Sequence, residues 1–215
     1  MIDNETKERA LAWANAVEGK AVEQEEDNVV LSGARDYTAA IKIAVKLLKK
    51  YEGLELRCYP DPASDLSKEL SKHGILRAYI DGKLELPPYL AKLSGAPLTI
   101  GYGDTENVKQ GDVITQEEAE RRLSVQVGKR LQQVLKAAPS LSKASDEAIA
   151  ACLSLQYNVG QDGFAGSTCV KRVEKGDMAG AAEALTWFNK ANGAVNQGLV
   201  NRRNLEKALF LSVRA

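Results

Sequence analysis

The chain has 215 residues, 44% hydrophobic and 27% charged, with a mean hydropathy of −0.29. This balance excludes wholesale disorder and is enough for one full domain plus an appendage. The 29 basic and 29 acidic residues cancel; no window of about eighteen apolar residues reads as a membrane span, and no basic start followed by an apolar run reads as a secretory signal, so a soluble, cytoplasmic chain is expected.

Residues 1–38 read as an acidic N-terminal appendage. Ala10, Leu11, Trp13, Ala14 and Val17 are spaced as in a short amphipathic helix over 3–22, and the acidic run at 23–27, followed by Ser32-Gly33, marks a solvated break. From Thr38, Ile41, Ala44, Val45 and Leu48 recur at three and four, the stripe of a helix packed on a core; Glu52 continues it and Gly53 supplies the stop. Residues 54–61 alternate as a strand and end in the turn Pro60-Asp61-Pro62, and residues 98–103 have the composition of a second strand, so a small sheet is predicted. Between them, 62–97 reads as an ordered insertion, with Leu66, Leu70, His73 and Leu76 on a helix and Pro87-Pro88 interrupting a second apolar segment.

Beyond residue 114 the pattern is helical. Thr115 and Glu118 are spaced as a capping box ahead of Ala119, Leu123, Val127 and Leu131, and Pro139 closes that helix. Ser145 caps the next, which carries Ile149, Leu153 and Tyr157 until Gly160 and Gly163 break it. Shorter helices are predicted around 167–175 and 178–188, and a last one over 200–213 with Leu205, Leu209 and Phe210 inside. A little early sheet followed by many helices is an α+β arrangement with the sheet segregated to one end.

Zero net charge hides an asymmetry. Residues 1–39 carry nine acids and four bases, whereas residues 121–215 carry fourteen bases and seven acids. A basic C-terminal half suits an anionic polymer, with nucleic acid and bacterial cell wall both candidates, and equally suits a solvated face with no partner. The cysteines, Cys58, Cys152 and Cys169, lack metal or redox spacings, and His73 is the only histidine. Zinc, haem and Ser-His or Cys-His hydrolysis are therefore disfavoured unless His73 serves as the base.

Glu52 is an ionisable carboxyl on an apolar helix stripe at the helix C-terminus, a place suited to holding and delivering a proton. Asp61 follows nine residues later in a turn, and Thr99 starts the second strand ahead of Gly-Tyr-Gly. If the hairpin folds back on the helix end, two carboxyls flank one cleft, as glycoside hydrolysis requires: one protonates the leaving oxygen and the other helps activate water. Read singly, Glu52 is also a fraying-end glutamate and Asp61 an Asx-turn residue.

Glu52-Gly53-Leu54, Asp61 and Thr99-Ile100-Gly101-Tyr102-Gly103 together resemble the Glu-Asp-Thr triad of the phage-type lysozymes, glycoside hydrolase family 24. Residues 153–169, Gly176-Asp177, Trp187-Phe188-Asn189-Lys190 and 198–203 resemble that family's central helix and C-terminal lobe. The resemblance covers about residues 40–215 apart from the insertion and implies a lysozyme-like domain over 39–215: a small N-terminal β-sheet lobe joined by a helix to a mostly helical C-terminal lobe. It implies cleavage of the β-1,4 bond between N-acetylmuramic acid and N-acetylglucosamine in peptidoglycan, with inversion and with no metal or organic cofactor. By the same resemblance Glu52 is the general acid, Asp61 and Thr99 position water, Tyr157 and Ser167 bind substrate, and Arg202 supports the site by pairing with the glutamate. The implied protein is a monomeric endolysin held in the host cytoplasm until a holin pore releases it to the periplasm, or a virion-borne enzyme, without stable membrane insertion.

Three features depart from the family pattern. Residues 62–98, thirty-seven in all, separate Asp61 from Thr99 where the family has a handful; Asp104 replaces a histidine; and an acidic segment stands in place of the apolar N-terminal anchor of some relatives. Two other classes of function are open to the sequence. One is a non-catalytic wall-binding module on the same fold, which the intact Glu52, Asp61 and Thr99 argue against. The other is a helical nucleic-acid binder, for which no recognition motif is present.

Overall fold

The structure is a computed structural model that describes Glu8 and residues 35–212; the helix expected over 3–22 lies outside the described residues. The chain forms two compact units, one of Lys49–Gln126 and the other of the described residues up to Leu48 together with those from Val127 on. It passes between them inside helices α1 (Thr38–Tyr51) and α4 (Gln116–Ala137).

In the unit of residues 49–126, strands β1 (Glu55–Pro60) and β2 (Leu98–Gly101) pair antiparallel, with Glu55 opposite Gly101, Tyr59 opposite Thr99 and Pro60 opposite Leu98. An irregularity between Glu55 and Tyr59 gives β1 extra length, and there β1 also bridges to Val113 through Arg57. The second strand is shorter than the sequence predicts. Gly101 and Gly103 take positive φ, 65° and 94°, and the chain closes into a turn in which Ile100 and Asp104 exchange backbone hydrogen bonds of 2.8 and 2.9 Å. Only glycine adopts such angles freely, so the Gly-Tyr-Gly ends the strand rather than extending it.

Residues 62–97 are ordered. The predicted single helix is two, α2 (Asp65–Lys72) and α3 (Leu76–Ile80), because Gly74 turns the chain at φ 69°. Ser64 caps α2 by accepting the Ser67 N–H. Leu66, Leu70, Tyr79 and Leu90 form a small buried core of their own, with Ile75, Leu86 and Leu93 packed against it, and a cavity of about 560 Å³ opens beside it. His73, at the end of α2, is exposed and pairs with Glu69 on the surface.

The other unit is helical. α4, which enters it from the 49–126 unit, starts there as half a capping box: the Glu118 N–H donates to Thr115 Oγ1, but the Glu118 carboxylate turns to Arg121 and Arg122. A 3₁₀ turn (Pro139–Lys143) follows, then α5 (Asp146–Ala165), capped by Ser145 as expected. Of the two glycines expected to break α5, only Gly160 does, at φ 77° and ψ 172°; the helix resumes through Gly163. α6 (Thr168–Glu174), α7 (Met178–Leu185) and α8 (Gln197–Phe210) complete the layer, with α5 packed on α8, α6 on α7 and α7 on α8. Between α7 and α8 the chain forms a hairpin the sequence reading did not predict, β3 (Lys190–Ala191) and β4 (Ala194–Val195). Its turn is Asn192-Gly193, both at positive φ, the dipeptide best suited to a two-residue hairpin.

Leu70 is fully buried in the small core of residues 62–97. Leu70→Ala is expected to destabilise the 49–126 unit by about 2–5 kcal/mol, read as a shift in its chemical denaturation midpoint.

Candidate active site

Glu52, Asp61 and Thr99 all belong to the Lys49–Gln126 unit. α1 ends at Tyr51, so Glu52 does not continue the apolar stripe; it is the half-buried first residue beyond the helix, just before Gly53. Lys49 and Lys50 occupy the last helical turn, where cations complement the helix dipole, and Lys49 also pairs with Glu120 at 2.6 Å.

Asp61 follows directly on β1. Its backbone N–H is shared between the carbonyls of Gly95 (3.0 Å) and Pro97 (3.1 Å), while its Oδ1 accepts the Ala63 N–H at 2.7 Å. The Asx turn and the family role are thus compatible: one oxygen holds the turn, and the carboxylate has a second. Thr99 is 7% exposed and sits directly across the sheet from Tyr59. Residues directly opposite in an antiparallel pair share a face; Tyr59 and Thr99 therefore lie on one side of the ribbon, and the Asp61 turn follows where β1 ends.

Tyr59 was not singled out from the sequence, although its place two residues before Asp61 on an alternating strand is the signal that marks it. Burial raises its phenol pKa, and the negative charges of Glu55, Glu52 and Asp61 raise it further. Glu55 is itself tied to Arg77 at 2.6 Å.

Asp104 is buried and accepts hydrogen bonds from Gln126 (2.6 Å), Arg122 (3.2 Å) and the Glu106 N–H (2.9 Å). Its charge is thus compensated within the unit. Cys58 is buried in β1, its sulfur accepting the Gly111 N–H at 3.2 Å. Among the described residues no group of three or more His, Cys, Asp or Glu side chains is placed to hold a metal ion.

The remaining sequence candidates lie in the helical unit. Tyr157, half-buried on α5, has the Arg130 guanidinium stacked 4.4 Å from its ring centroid. Ser167 is buried and caps α6, its oxygen accepting the Val170 N–H at 3.1 Å. Arg202 is 3% exposed on α8; it donates to the Ser154 carbonyl (3.1 Å) and hydroxyl, and pairs with Glu206 at 3.2 Å. Arg203, fully buried, meets the same Glu206 oxygen at 2.6 Å, and the Ser154 hydroxyl donates to it at 2.6 Å. Burial pushes the Glu206 carboxyl up, against the pull of Arg203, Arg202 and Ser154. These charge partners of Arg202 were not foreseen, although Glu206 stands four residues on, at helical spacing.

The pattern of the phage lysozyme family matches residues 83–206. That span contains Thr99, Tyr157, Ser167 and Arg202 and begins after Glu52 and Asp61. An endolysin of Acyrthosiphon pisum secondary endosymbiont phage 1 is 40% identical over 118 residues, 53% of this chain and 80% of the relative. The endolysin of Salmonella phage P22 is 33% identical over 151 residues, 67% of this chain and 99% of the relative. Among solved structures, the endolysin from Escherichia coli O157:H7 phage FAHEc1 matches with a TM-score of 0.56 and 29% identity, over 84% of this chain and 96% of that one.

Glu206 compensates two buried guanidiniums at once. Its replacement in Glu206→Ala is expected to cost about 3–5 kcal/mol, since breaking a buried pair strands the charge left behind, and thermal unfolding monitored by circular dichroism reads the loss.

Proposed function

The chain belongs to the phage lysozyme family of glycoside hydrolases, and we propose that it is an endolysin, a muramidase that hydrolyses the β-1,4 bond between N-acetylmuramic acid and N-acetylglucosamine in peptidoglycan and so lyses the host cell. The observation that supports this reading is the pairing of Thr99 with Tyr59 on the strand that leads into Asp61.

In this reading Glu52, protonated, gives its proton to the glycosidic oxygen as the bond to the anomeric carbon breaks. A water held by Asp61 and Thr99 attacks that carbon from the opposite face and passes its proton to Asp61, so the configuration inverts. Proton transfer from a positioned group supplies roughly 10²–10⁴-fold of rate. Tyr157 and Ser167 bind the glycan: Tyr157 presents a ring braced by Arg130, and Ser167, having accepted the Val170 N–H, keeps its hydroxyl proton for a ligand. Arg202, rigidly held by Ser154 and Glu206, is a supporting residue. No cofactor takes part.

We take 39–215 as the lysozyme domain, elaborated at 62–97, and 1–38 as an appendage. No described helix is long and apolar enough to cross a membrane, and a monomer that waits in the host cytoplasm for a holin pore and then works on the wall from the periplasm fits the reading. The basic C-terminal half suits anionic peptidoglycan, with no role for nucleic acid.

Wild type is expected to clear purified peptidoglycan or outer-membrane-permeabilised Gram-negative cells and to release new reducing ends, and Glu52→Gln to lower the rate by about 10²–10⁴-fold. A folded wild type that binds the wall but releases no reducing ends would show a binding module instead.

A further inference from the structure

We infer that the cavity beside the small core of residues 62–97 is a binding site for the peptide stems of peptidoglycan, which hang from its N-acetylmuramic acid residues. This inference rests on the muramidase reading above.

The cavity holds about 560 Å³ and is lined by Leu66, Leu86, Leu93 and Leu98 together with Tyr79 and Gln110, a size and an apolar character suited to a short peptide. Tyr79 is 9% exposed, yet its hydroxyl makes no hydrogen bond. Gln110 stands near enough to act on the phenol without completing one. An unpaired buried hydroxyl is destabilising, and phenylalanine would fill the same place in the core without that cost. The O–H is therefore set for a ligand: a main-chain carbonyl entering the cavity can accept from it.

The rest of the lining selects the ligand. Glu85 is an exposed member of it and enters no ion pair among the described residues, so it offers a carboxylate to an ammonium group. The leucines, with Ala91 and Ala96, accept methyl side chains. A peptide stem combines alanine methyls, main-chain carbonyls and a diamino acid whose second amine is free wherever the stem is not cross-linked. An acyl chain would match neither Glu85 nor the Tyr79 hydroxyl.

The cavity is also well placed on that substrate. Gly95 and Leu98 belong to its wall; the Gly95 carbonyl accepts the Asp61 N–H at 3.0 Å, and Leu98 adjoins Thr99. A Cβ on Gly95 would stand 2.9 Å from the Pro60 Cβ, so at this point the wall is bare main chain packed on the end of β1. The stem hangs from the sugar whose bond is cleaved, and an extended tetrapeptide reaches about 13 Å. A glycan at Asp61 and a stem in the cavity can thus belong to one substrate molecule.

The test uses the full chain and two probes. An N-acetylated tetrapeptide of alanine, D-glutamate, diaminopimelate and D-alanine, which a muramidase does not consume, is titrated in and followed by the NMR shifts of the amides of residues 79–98 and 110. Initial rates are then compared on intact peptidoglycan and on glycan strands stripped of peptide by an amidase. Wild type is expected to bind the tetrapeptide and to show the lower KM on intact peptidoglycan. Tyr79→Phe is expected to weaken tetrapeptide binding roughly fivefold, the worth of one hydrogen bond, and to narrow the KM difference by the same factor, with a melting temperature equal to or above that of wild type. Ala91→Trp, which fills the cavity from an exposed position, is expected to abolish binding and carries the test should the phenylalanine variant fold poorly. No tetrapeptide binding by wild type, undiminished binding by either variant, or shifts with decanoate but not with the tetrapeptide would each overturn the site. A wild type that binds the tetrapeptide but releases no reducing ends would instead overturn the muramidase reading and leave the site as one for holding the wall.

Discussion

The pairing of Tyr59 with Thr99 is the constraint on which the site depends. In a two-stranded ribbon every side chain changes face if the register slips by one residue, so a slip here would turn Thr99 away from the Asp61 turn and dissolve the candidate site without altering one of its residues. A ribbon this short is marginal by itself, and the register is held from outside it. The carbonyls of Gly95 and Pro97 take the Asp61 N–H, Arg57 bridges to Val113 on the far edge of β1, and the positive-φ glycines at 101 and 103 end β2 at a defined place. Each support acts on the backbone.

The helical unit solves a different problem. α5 is buried over much of its length, mostly with apolar side chains, and α8, which packs on it, carries two buried arginines and a glutamate. Desolvating such groups costs several kcal/mol per ion, and their mutual attraction offsets this only where hydrogen bonds satisfy the remaining donors. Ser154 supplies both a carbonyl and a hydroxyl to that end, and Asn158 an amide oxygen. The cluster is thus poor evidence of stability for its own sake. It fixes the rotation of α8 on α5, because no other rotation brings Arg202, Arg203 and Glu206 to Ser154, and with the rotation it fixes the direction of Arg202.

How far all this was legible in the sequence depends on the range of the interaction that decides each feature. α1, α4, α5 and the strands β1 and β2 are written locally, in apolar periodicity, Ser145 and the Pro60-Asp61-Pro62 turn. The resemblance located Glu52, Asp61 and Thr99, and the structure puts all three in one unit. Features decided by a glycine's φ were harder to place: Gly160 and Gly163 look alike as letters, but only Gly160 leaves the helix, and Gly74 divides one expected helix into two. The β3–β4 hairpin was legible in Asn192-Gly193 and was passed over because the flanking strands are two residues long, too short to alternate. Asp104 stood out in the sequence only as a departure from the family pattern; the hydrogen bonds it accepts from Arg122 and Gln126, eighteen and twenty-two residues on, are contacts no local pattern announces.

The long segment between Asp61 and Thr99 is consistent with an intact site for the same physical reason. Loop-closure entropy grows slowly, by about 0.6 kcal/mol for each doubling of length, so thirty-seven residues are little more costly to close than a few, provided the ends still meet. Here they meet through backbone hydrogen bonds: Asp61 to Gly95 and Pro97, and Leu66 to Ser94. The residues between bury their own leucines around Leu66, Leu70, Tyr79 and Leu90 and so offset much of their own ordering entropy. Only the two ends of the segment touch Asp61: Ala63 and Ser64 at its start, Gly95 and Pro97 at its close. The geometry of those ends must be kept for the Asp61 turn to hold, whereas α2 and α3 can vary as long as their small core survives.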